Sequence, residues 1–291
     1  MTAPSSRVKL VALAALSIAG MVCAPGVAHA DAGAREAVVG GAPAPGGALA
    51  SVAEIIDMRG HQGSQCTGTV VAATLILTAA HCVENIKTGT IYPASGFQVL
   101  TGASNLEQAS AGAEGQILDV SGVIPYEGFH RRVDDGDAAL LALSAPTSAA
   151  PIALATSSQS ATLGAGATAR IAGWGNTFYR QRLLTKQLRW ADTVVQSASW
   201  CKRNAPPFFV RNEICTIDPP SYATGACNGD SGGPLLAAQG AGAQLVQVGI
   251  AIHVYDRCST RRPSVYTSVD AIAGWVQSWI AAYAHPAAAG S

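Results

Sequence analysis

The chain has 291 residues, enough for one large domain or two smaller ones. Eighteen basic residues balance eighteen acidic ones, and only 12% of all residues are charged. This balance gives no support to a nucleic-acid partner or to attraction by an anionic membrane, because both need an excess of Lys and Arg.

The N-terminus has the layout of a secretory signal peptide. Arg7 and Lys9 precede an apolar run from Leu10 to Val22, and Ala28-His29-Ala30 places small residues on either side of a spacer. An apolar run of about 13 residues is too short to cross a bilayer as an anchor. We therefore expect a signal peptide over residues 1–30 and a secreted, extracellular mature protein.

The rest of the chain reads as β-structure. Short runs rich in Val, Ile, Leu and Thr are separated by Gly, Pro, Ser and Asn, which is typical of a sandwich or barrel. The clearest predicted strands are 68–78, 97–101, 116–124, 138–143, 168–173 and 245–252. The segment 144–166, rich in Ala, Pro and Ser, is the best candidate for a linker between two halves. A helix is predicted over Val269–Tyr283, where Ile272, Val276, Trp279 and Ile280 share one face.

Six cysteines follow the expected signal peptide, and an even number in an exported chain indicates three disulfides. Fifteen pairings are possible from the count alone. A zinc site is the competing interpretation, but no two of these cysteines lie within four residues of each other. The six are Cys66, Cys82, Cys201, Cys215, Cys227 and Cys258.

Three local patterns contain the residue types of nucleophilic catalysis. His81 ends an apolar run and precedes Cys82, Asp137 stands directly before the apolar run 138–143, and Ser231 lies in the segment Gly229 to Pro234. A serine flanked by glycines can occupy a tight turn with its hydroxyl exposed and its N–H free to donate. Each pattern alone has an ordinary structural explanation, but their joint occurrence in this order is hard to attribute to chance.

Together these motifs resemble the chymotrypsin/trypsin family of serine endopeptidases, with secreted bacterial-type members as the expected subgroup. The resemblance runs from Val38 to about Tyr283. It includes Val38-Val39-Gly40-Gly41, Gly173-Trp174-Gly175 and the pair Trp275/Trp279. It implies an all-β fold of two antiparallel six-stranded β-barrels with a C-terminal helix. The expected divisions are a barrel over 38–147, a barrel over 148–268, the helix over 269–284 and a flexible tail over 285–291.

The resemblance and the chemistry of the residues assign the catalytic roles. Ser231 needs a base to remove its proton as it attacks, and His81 is suitable near neutral pH. Asp137 would hold the imidazole in the right tautomer and stabilise its cationic form. Asp134 and Asp135 are rivals for that role but lack an adjoining apolar strand. The N–H groups of Gly229 and Ser231 would form the oxyanion hole.

The resemblance also implies the pairing of cysteines and a mode of activation. The expected disulfides are Cys66–Cys82, Cys201–Cys215 and Cys227–Cys258. Residues 31–37 would be a short propeptide whose removal frees the amino group of Val38 to pair with Asp230. Without that partner a buried carboxylate costs about 3–5 kcal/mol, so an inactive precursor is expected.

The specificity pocket departs from the trypsin pattern. Gly225 stands where trypsin-type members carry an acidic residue, while Val254 and Ser264 replace glycines on the pocket walls. These residues indicate a shortened, elastase-like pocket that prefers small or medium apolar residues. In the segment lining the cleft, Ile252 and His253 replace a serine and a tryptophan. Ile252 cannot hydrogen-bond the aspartate, and His253 is a candidate substrate contact.

No cofactor and no metal are expected; the loop 103–108 lacks the acidic groups that a calcium site requires. Expected partners are protein or peptide substrates and protein protease inhibitors, with no nucleic acid, no membrane contact in the mature form, and a monomeric state. One alternative is a protease-shaped binding protein with weak or lost activity, which only Ile252 favours. An α/β-hydrolase esterase would need βα alternation and the order Ser, Asp, His, and neither is found.

Overall fold

The computed structural model describes residues 38–60, 65–178, 186–238, 244–255 and 257–284. The expected signal peptide, the propeptide and the tail lie outside these residues. The strands are β1 (Ala42–Pro43), β2 (Val52–Asp57), β3 (Gln65–Ala72), β4 (Leu75–Thr78), β5 (Glu84–Asn85), β6 (Thr90–Ile91), β7 (Phe97–Thr101), β8 (Gln116–Pro125), β9 (Ala139–Leu143), β10 (Ala153–Leu154), β11 (Thr168–Gly173), β12 (Arg189–Val195), β13 (Glu213–Ile217), β14 (Pro234–Ala238), β15 (Leu245–Val254) and β16 (Ser264–Ser268). The α-helices are α1 (Leu106–Ser110), α2 (Ser157–Thr162), α3 (Ala198–Asn204) and α4 (Val269–Ala284).

The first barrel closes in the order β2-β3-β4-β9-β8-β7. Every residue of β4 and of β9 is buried, which explains why both read as continuous apolar runs. The two strands are antiparallel and pair from Leu75 with Ala142 to Thr78 with Ala139. The end of β4 therefore lies beside the start of β9. This register brings His81, which follows β4, to the same barrel end as Asp137, which precedes β9.

One predicted strand of the first barrel is wrong. The run 68–78 is not a single strand, because the chain reverses after Ala72 and returns as β4, with Thr69 paired to Leu77. Because the residues on both sides of this turn are apolar, the hydrophobic pattern does not show where the first strand ends. The predicted strands 97–101 and 168–173 form over the same residues, as β7 and β11.

The second barrel is formed by β11 to β16. Its strands follow the order β12-β11-β14-β15-β16-β13, and pairing of β12 with β13 closes the ring. The fold class is therefore confirmed: two six-stranded antiparallel barrels and a C-terminal helix. Two short strands join this barrel from outside, since β1 pairs with β12 and β10 runs parallel to β15. Residues 42–43 thus attach to the second barrel, and the expected linker contains β10 and α2.

Buried contacts join the barrels to each other and to α4. One apolar cluster combines Val52 and Leu100 of the first barrel with Trp174 and Leu236 of the second. Helix α4 returns to the first barrel, where the ring of Trp275 lies 5.2 Å from that of Tyr126. None of the described helices has the length and hydropathy needed to span a bilayer.

Candidate active site

The imidazole of His81 is held by a buried carboxylate. Its Nδ1 lies 2.6 Å from Oδ2 of Asp137, and its backbone N–H donates to Oδ1 of the same residue over 2.9 Å. Asp137 is fully buried, whereas the His81 side chain is 25% exposed. One residue therefore anchors both the backbone and the ring of His81, and the ring keeps an open edge.

Burial and charge act on His81 in opposite directions. Burial lowers the pKa of the imidazole, whereas the charge and hydrogen bond of Asp137 and the charge of Asp134 raise it. The raising effects together outweigh burial, so the pKa lies above its ordinary value. Such a ring holds a proton taken from a neighbouring hydroxyl more firmly. The geometry suits a general base that becomes an imidazolium during reaction.

Asp137 has a second support that the sequence did not reveal. The hydroxyl of Thr267, on β16, donates to the carbonyl oxygen of Asp137 over 3.0 Å. Ile252, which cannot donate, is buried in the core, where the pairing of β15 with β16 shifts register between Ala251 and His253. A buried threonine in a strand is a weak signal, and only the fold shows which group it faces.

The loop that carries Ser231 contacts strand β3 and the residue after His81. The backbone N–H of Thr67 donates to the carbonyl oxygen of Ser231 over 2.8 Å, and Cys82 Sγ lies 3.7 Å from that oxygen. Gly232 follows with φ +81°, and a Cβ there would lie 2.1 Å from Oγ1 of Thr78. Because only glycine fits, the serine loop can approach the end of β4 closely. The structure thus brings the histidine and serine segments together.

The backbone around Gly229 forms a tight turn with unused donors. Gly229 has φ +96°, and a Cβ there would lie 2.7 Å from Cα of Gly175. Its carbonyl oxygen accepts a hydrogen bond from Thr67 Oγ1 over 2.8 Å. Within the described part of the chain, the N–H groups of Gly229 and Ser231 have no hydrogen-bond acceptor. They are free to receive an oxygen from a bound ligand.

The comparisons with known proteins settle the family. The family model described as Trypsin matches residues 38–276. The chain belongs to the trypsin family. It is 32% identical to the serine protease SP24D of Anopheles gambiae over 256 residues, which cover 86% of each chain. It is 30% identical to a trypsin of Xenopus laevis over 75% of this chain and 82% of that protein.

A third relative, trypsin I-P1 of Gallus gallus, is 30% identical over 73% of this chain and 78% of its own. Membership of the family makes the protein a serine endopeptidase, a hydrolase. These relatives come from an insect and from vertebrates, so the comparisons give no support to the expected bacterial-type subgroup.

Three disulfides in this trypsin-family protein pair Cys66 with Cys82, Cys201 with Cys215 and Cys227 with Cys258. This is the pairing that the resemblance implied. Ligand atoms of Cys66, Cys82 and His81 lie within 4.8 Å of one another. The two sulfurs are bonded to each other, however, so this group offers no thiolate to a metal.

Asp230 is a buried carboxyl held by backbone donors. Its Oδ1 accepts from the N–H of Gly175 over 3.0 Å, and its Oδ2 accepts from the N–H of Cys227 over 2.8 Å. Burial raises its pKa to about 7 even though both hydrogen bonds lower it. Val38 is also fully buried, and its neighbour Val39 bridges to Gly225. Burial therefore opposes ionisation of Asp230 near neutral pH.

A cavity of about 190 Å³ opens beside Ser231, and only some of the expected pocket residues line it. His253 and Val254 line it, whereas Gly225 and Ser264 lie outside its lining. Ser264 is buried behind the wall and accepts a hydrogen bond from the N–H of Ala226 over 3.3 Å. The lining residues are Ala226, Cys227, Asn228, Ser231, Ala251, Ile252, His253 and Val254.

His253 lines this cavity with an aromatic ring. Its ring packs edge-on against Tyr255 with centroids 4.4 Å apart. Burial lowers its pKa; Asp134 opposes this shift and His81 adds to it. The His81 ring is hydrogen-bonded to Asp137 and to neither of its two rivals. Asp135 Oδ1 accepts from Asn212 instead. Burial, with the charge of Asp137, raises the pKa of Asp134.

The hydroxyl of Thr267 can be removed with little change of shape. We expect Thr267→Val to lower kcat by about fivefold with KM unchanged, because one neutral hydrogen bond of about 1 kcal/mol no longer positions Asp137. Thr69→Val is the matched control, since Thr69 is equally buried and donates to Gln247 instead. Steady-state kinetics and thermal unfolding decide: equal kcat for the two variants, at equal stability, would contradict the assignment.

Proposed function

We propose that this protein is an exported endopeptidase that cleaves peptide bonds through an acyl-enzyme formed on Ser231. The observation that carries this proposal is the His81 imidazole hydrogen-bonded to the buried Asp137 carboxylate over 2.6 Å. The serine loop is hydrogen-bonded to Thr67 of β3, the strand that pairs with β4. Support for export comes from the N-terminal pattern and the three disulfides, which form in oxidising compartments.

The proposed reaction uses each group in turn. Ser231 Oγ attacks the carbonyl carbon while His81 Nε2 takes its proton, and the N–H groups of Gly229 and Ser231 receive the negative oxygen. His81 then gives its proton to the amine as the C–N bond breaks and leaves an ester. A water molecule, deprotonated by His81, hydrolyses the ester and frees Ser231. Each oxyanion donor lowers the barrier by about 3 kcal/mol.

A weakly active or inactive binding protein remains the second candidate, and Ile252 is the observation that favours it. A serine at this position would help hold the aspartate, and Ile252 removes that donor. Asp137 nonetheless receives hydrogen bonds from His81 N–H at its carboxylate and from Thr267 at its carbonyl. Because these contacts fix the aspartate without the missing serine, we propose the active enzyme.

The cavity beside Ser231 supports a preference for small or medium apolar residues before the cut. Val254 lines it, so a branched side chain occupies space that glycine would leave open. Gly225 places no carboxylate at the expected base of the pocket, so a Lys or Arg side chain would lack a charged partner there. Ala37, directly before Val38, is a small apolar residue of the proposed preferred class, so the enzyme could cut its own precursor after this residue.

A peptide-library profile of the processed enzyme tests activity and specificity together. We expect fastest cleavage after Ala or Val in the wild type, and a shift toward Leu and Phe in Val254→Gly, because removing the side chain deepens the cavity. Val210→Gly is the matched control, since Val210 is 53% exposed and lies outside the cavity lining. Fastest wild-type cleavage after Arg or Phe would refute the proposed preference.

We also propose that removal of residues 31–37 activates the protein by giving Asp230 a cationic partner. The new amino group of Val38 would lie beside the Asp230 carboxylate and keep it ionised. The burial of Asp230 and its pKa of about 7 support this, because within the described residues its carboxylate is held by backbone N–H groups and by no cation. The ion pair would fix the neighbouring N–H groups of the oxyanion hole.

The precursor should differ from the processed enzyme in activity and in pH dependence. We expect the chain starting at Asp31 to have kcat/KM about 100-fold or more below that of the chain starting at Val38. The pKa of Asp230 is higher in the folded protein than in the unfolded chain. Its contribution to the free energy of unfolding is therefore fully present below about pH 4, where the carboxyl is protonated in both states. That stability is lost as the pH rises through about 7.

Asp230→Asn should therefore flatten the pH dependence of the precursor's free energy of unfolding over that interval, whatever its effect at a single pH. Urea unfolding across the interval measures the slope, and the same substitution should inactivate the processed enzyme. A fully active precursor would contradict this mechanism.

A further inference from the structure

A second depression, of about 500 Å³, lies on the first barrel. Two segments form it: residues 86–89, which follow shortly after His81, and residues 129–133, which end shortly before Asp137. Asp134, which follows the second segment, is close enough for its charge to act on Asp137 and His81. This end of the depression, which we call the basic groove, therefore lies near the active site. No part of the proposed reaction uses it.

The groove is positively charged on a molecule of no net charge. Lys87, Arg131 and Arg132 all line it. Arg131 is neutralised, because its guanidinium donates two hydrogen bonds to the buried carboxylate of Glu84, over 2.5 Å and 2.9 Å. Within the described residues, the side chains of Lys87 and Arg132 have no partner. Two cationic side chains therefore remain free to bind an anion.

The acidic residues that follow the groove in sequence act elsewhere. Asp135 accepts a hydrogen bond from Asn212 of the second barrel over 2.7 Å. Asp134 is half-buried, and its charge acts on the catalytic Asp137 and His81 and on His253. Neither residue belongs to the lining of the groove. The free cations of the groove are thus not compensated by these carboxylates.

Apolar side chains stand beside the cations. Ile86 is 46% exposed and Val133 is 37% exposed, and the buried ring of Phe129 completes the apolar part of the lining. An inorganic anion would use only the two cations. A polypeptide with carboxylates next to an apolar side chain would use both parts of the surface, and its charges would be complementary to Lys87 and Arg132.

We infer that the basic groove is an auxiliary docking site for an acidic segment of the polypeptide substrate, outside the cavity that receives the residue before the cut. This inference rests on the proposed proteolytic function and extends it to the choice of protein substrate. Carboxylates of the segment would pair with Lys87 and Arg132, and an apolar neighbour would contact Ile86 and Val133.

Peptides with one cleavable core and different extensions test the inference. The core alone is compared with cores that carry a Glu-rich or a Gln-rich extension, on either side. We expect kcat/KM of the wild type to be about 3- to 10-fold higher with the better-placed Glu extension than with its Gln counterpart at low salt. The difference should shrink as salt is raised.

The variant Lys87→Glu/Arg132→Glu should abolish this difference and cleave the unextended core at the wild-type rate. The matched control is Lys202→Glu/Arg203→Glu, which makes the same change of charge on α3, outside the groove. It should keep the preference for Glu extensions. If the charge reversal impairs folding, Lys87→Ala/Arg132→Ala gives the same comparison without new negative charge.

The outcomes separate the two proposals. Failure of the wild type to cleave any core peptide would overturn the proteolytic function together with the docking site. Normal cleavage of the core with no preference for Glu over Gln extensions would overturn the docking site alone. A preference that both charge-reversed proteins lose equally would show that net charge is responsible, and it would also overturn the groove.

Discussion

The structure depends on a carboxylate that is buried where two apolar strands meet. Asp137 is fully buried, and an ionised group in that position is tolerated only because it is hydrogen-bonded. His81 satisfies one carboxylate oxygen with its backbone N–H and the other with its ring. The same contacts that compensate burial of the aspartate therefore orient the imidazole. Burial of the aspartate and positioning of the imidazole are consequences of one arrangement.

The serine reaches this pair through backbone contacts that cross between the barrels. Thr67 of the first barrel donates its N–H to the carbonyl oxygen of Ser231 and its hydroxyl to that of Gly229, so one residue of β3 holds two points of the turn that carries Ser231. Gly232 lets the turn approach Thr78 without a steric clash. The Cys66–Cys82 disulfide joins the strand of Thr67 to the residue after His81. Movement of the two barrels against each other would strain all of these contacts together.

Much of this could be predicted because the motifs are local. The segments around His81, Asp137 and Ser231 each carry a short pattern, and their order indicated the family and hence the two barrels. The hairpin β3–β4 was missed because residues on both sides of its turn are apolar, so periodicity gave no boundary. Thr267 was missed because its role depends on the pairing of β13, β15 and β16 far from the motifs. Val254 and Ser264 were both expected on the pocket wall, but Val254 lines the cavity and Ser264 lies behind Ala226. The sequence could not separate the two positions, because the strand register that separates them depends on the fold.

We propose that His81, Asp137 and Ser231 act as one assembled site. Labelling of the processed protein by a fluorophosphonate, with mass spectrometry to locate the adduct, tests this proposal. We expect a single adduct on Ser231, and a labelling rate about 10⁴-fold lower in a folded Asp137→Asn variant, because the imidazole is then held in the wrong tautomer. An unlabelled wild-type protein, or equal labelling rates for the wild type and Asp137→Asn, would contradict it.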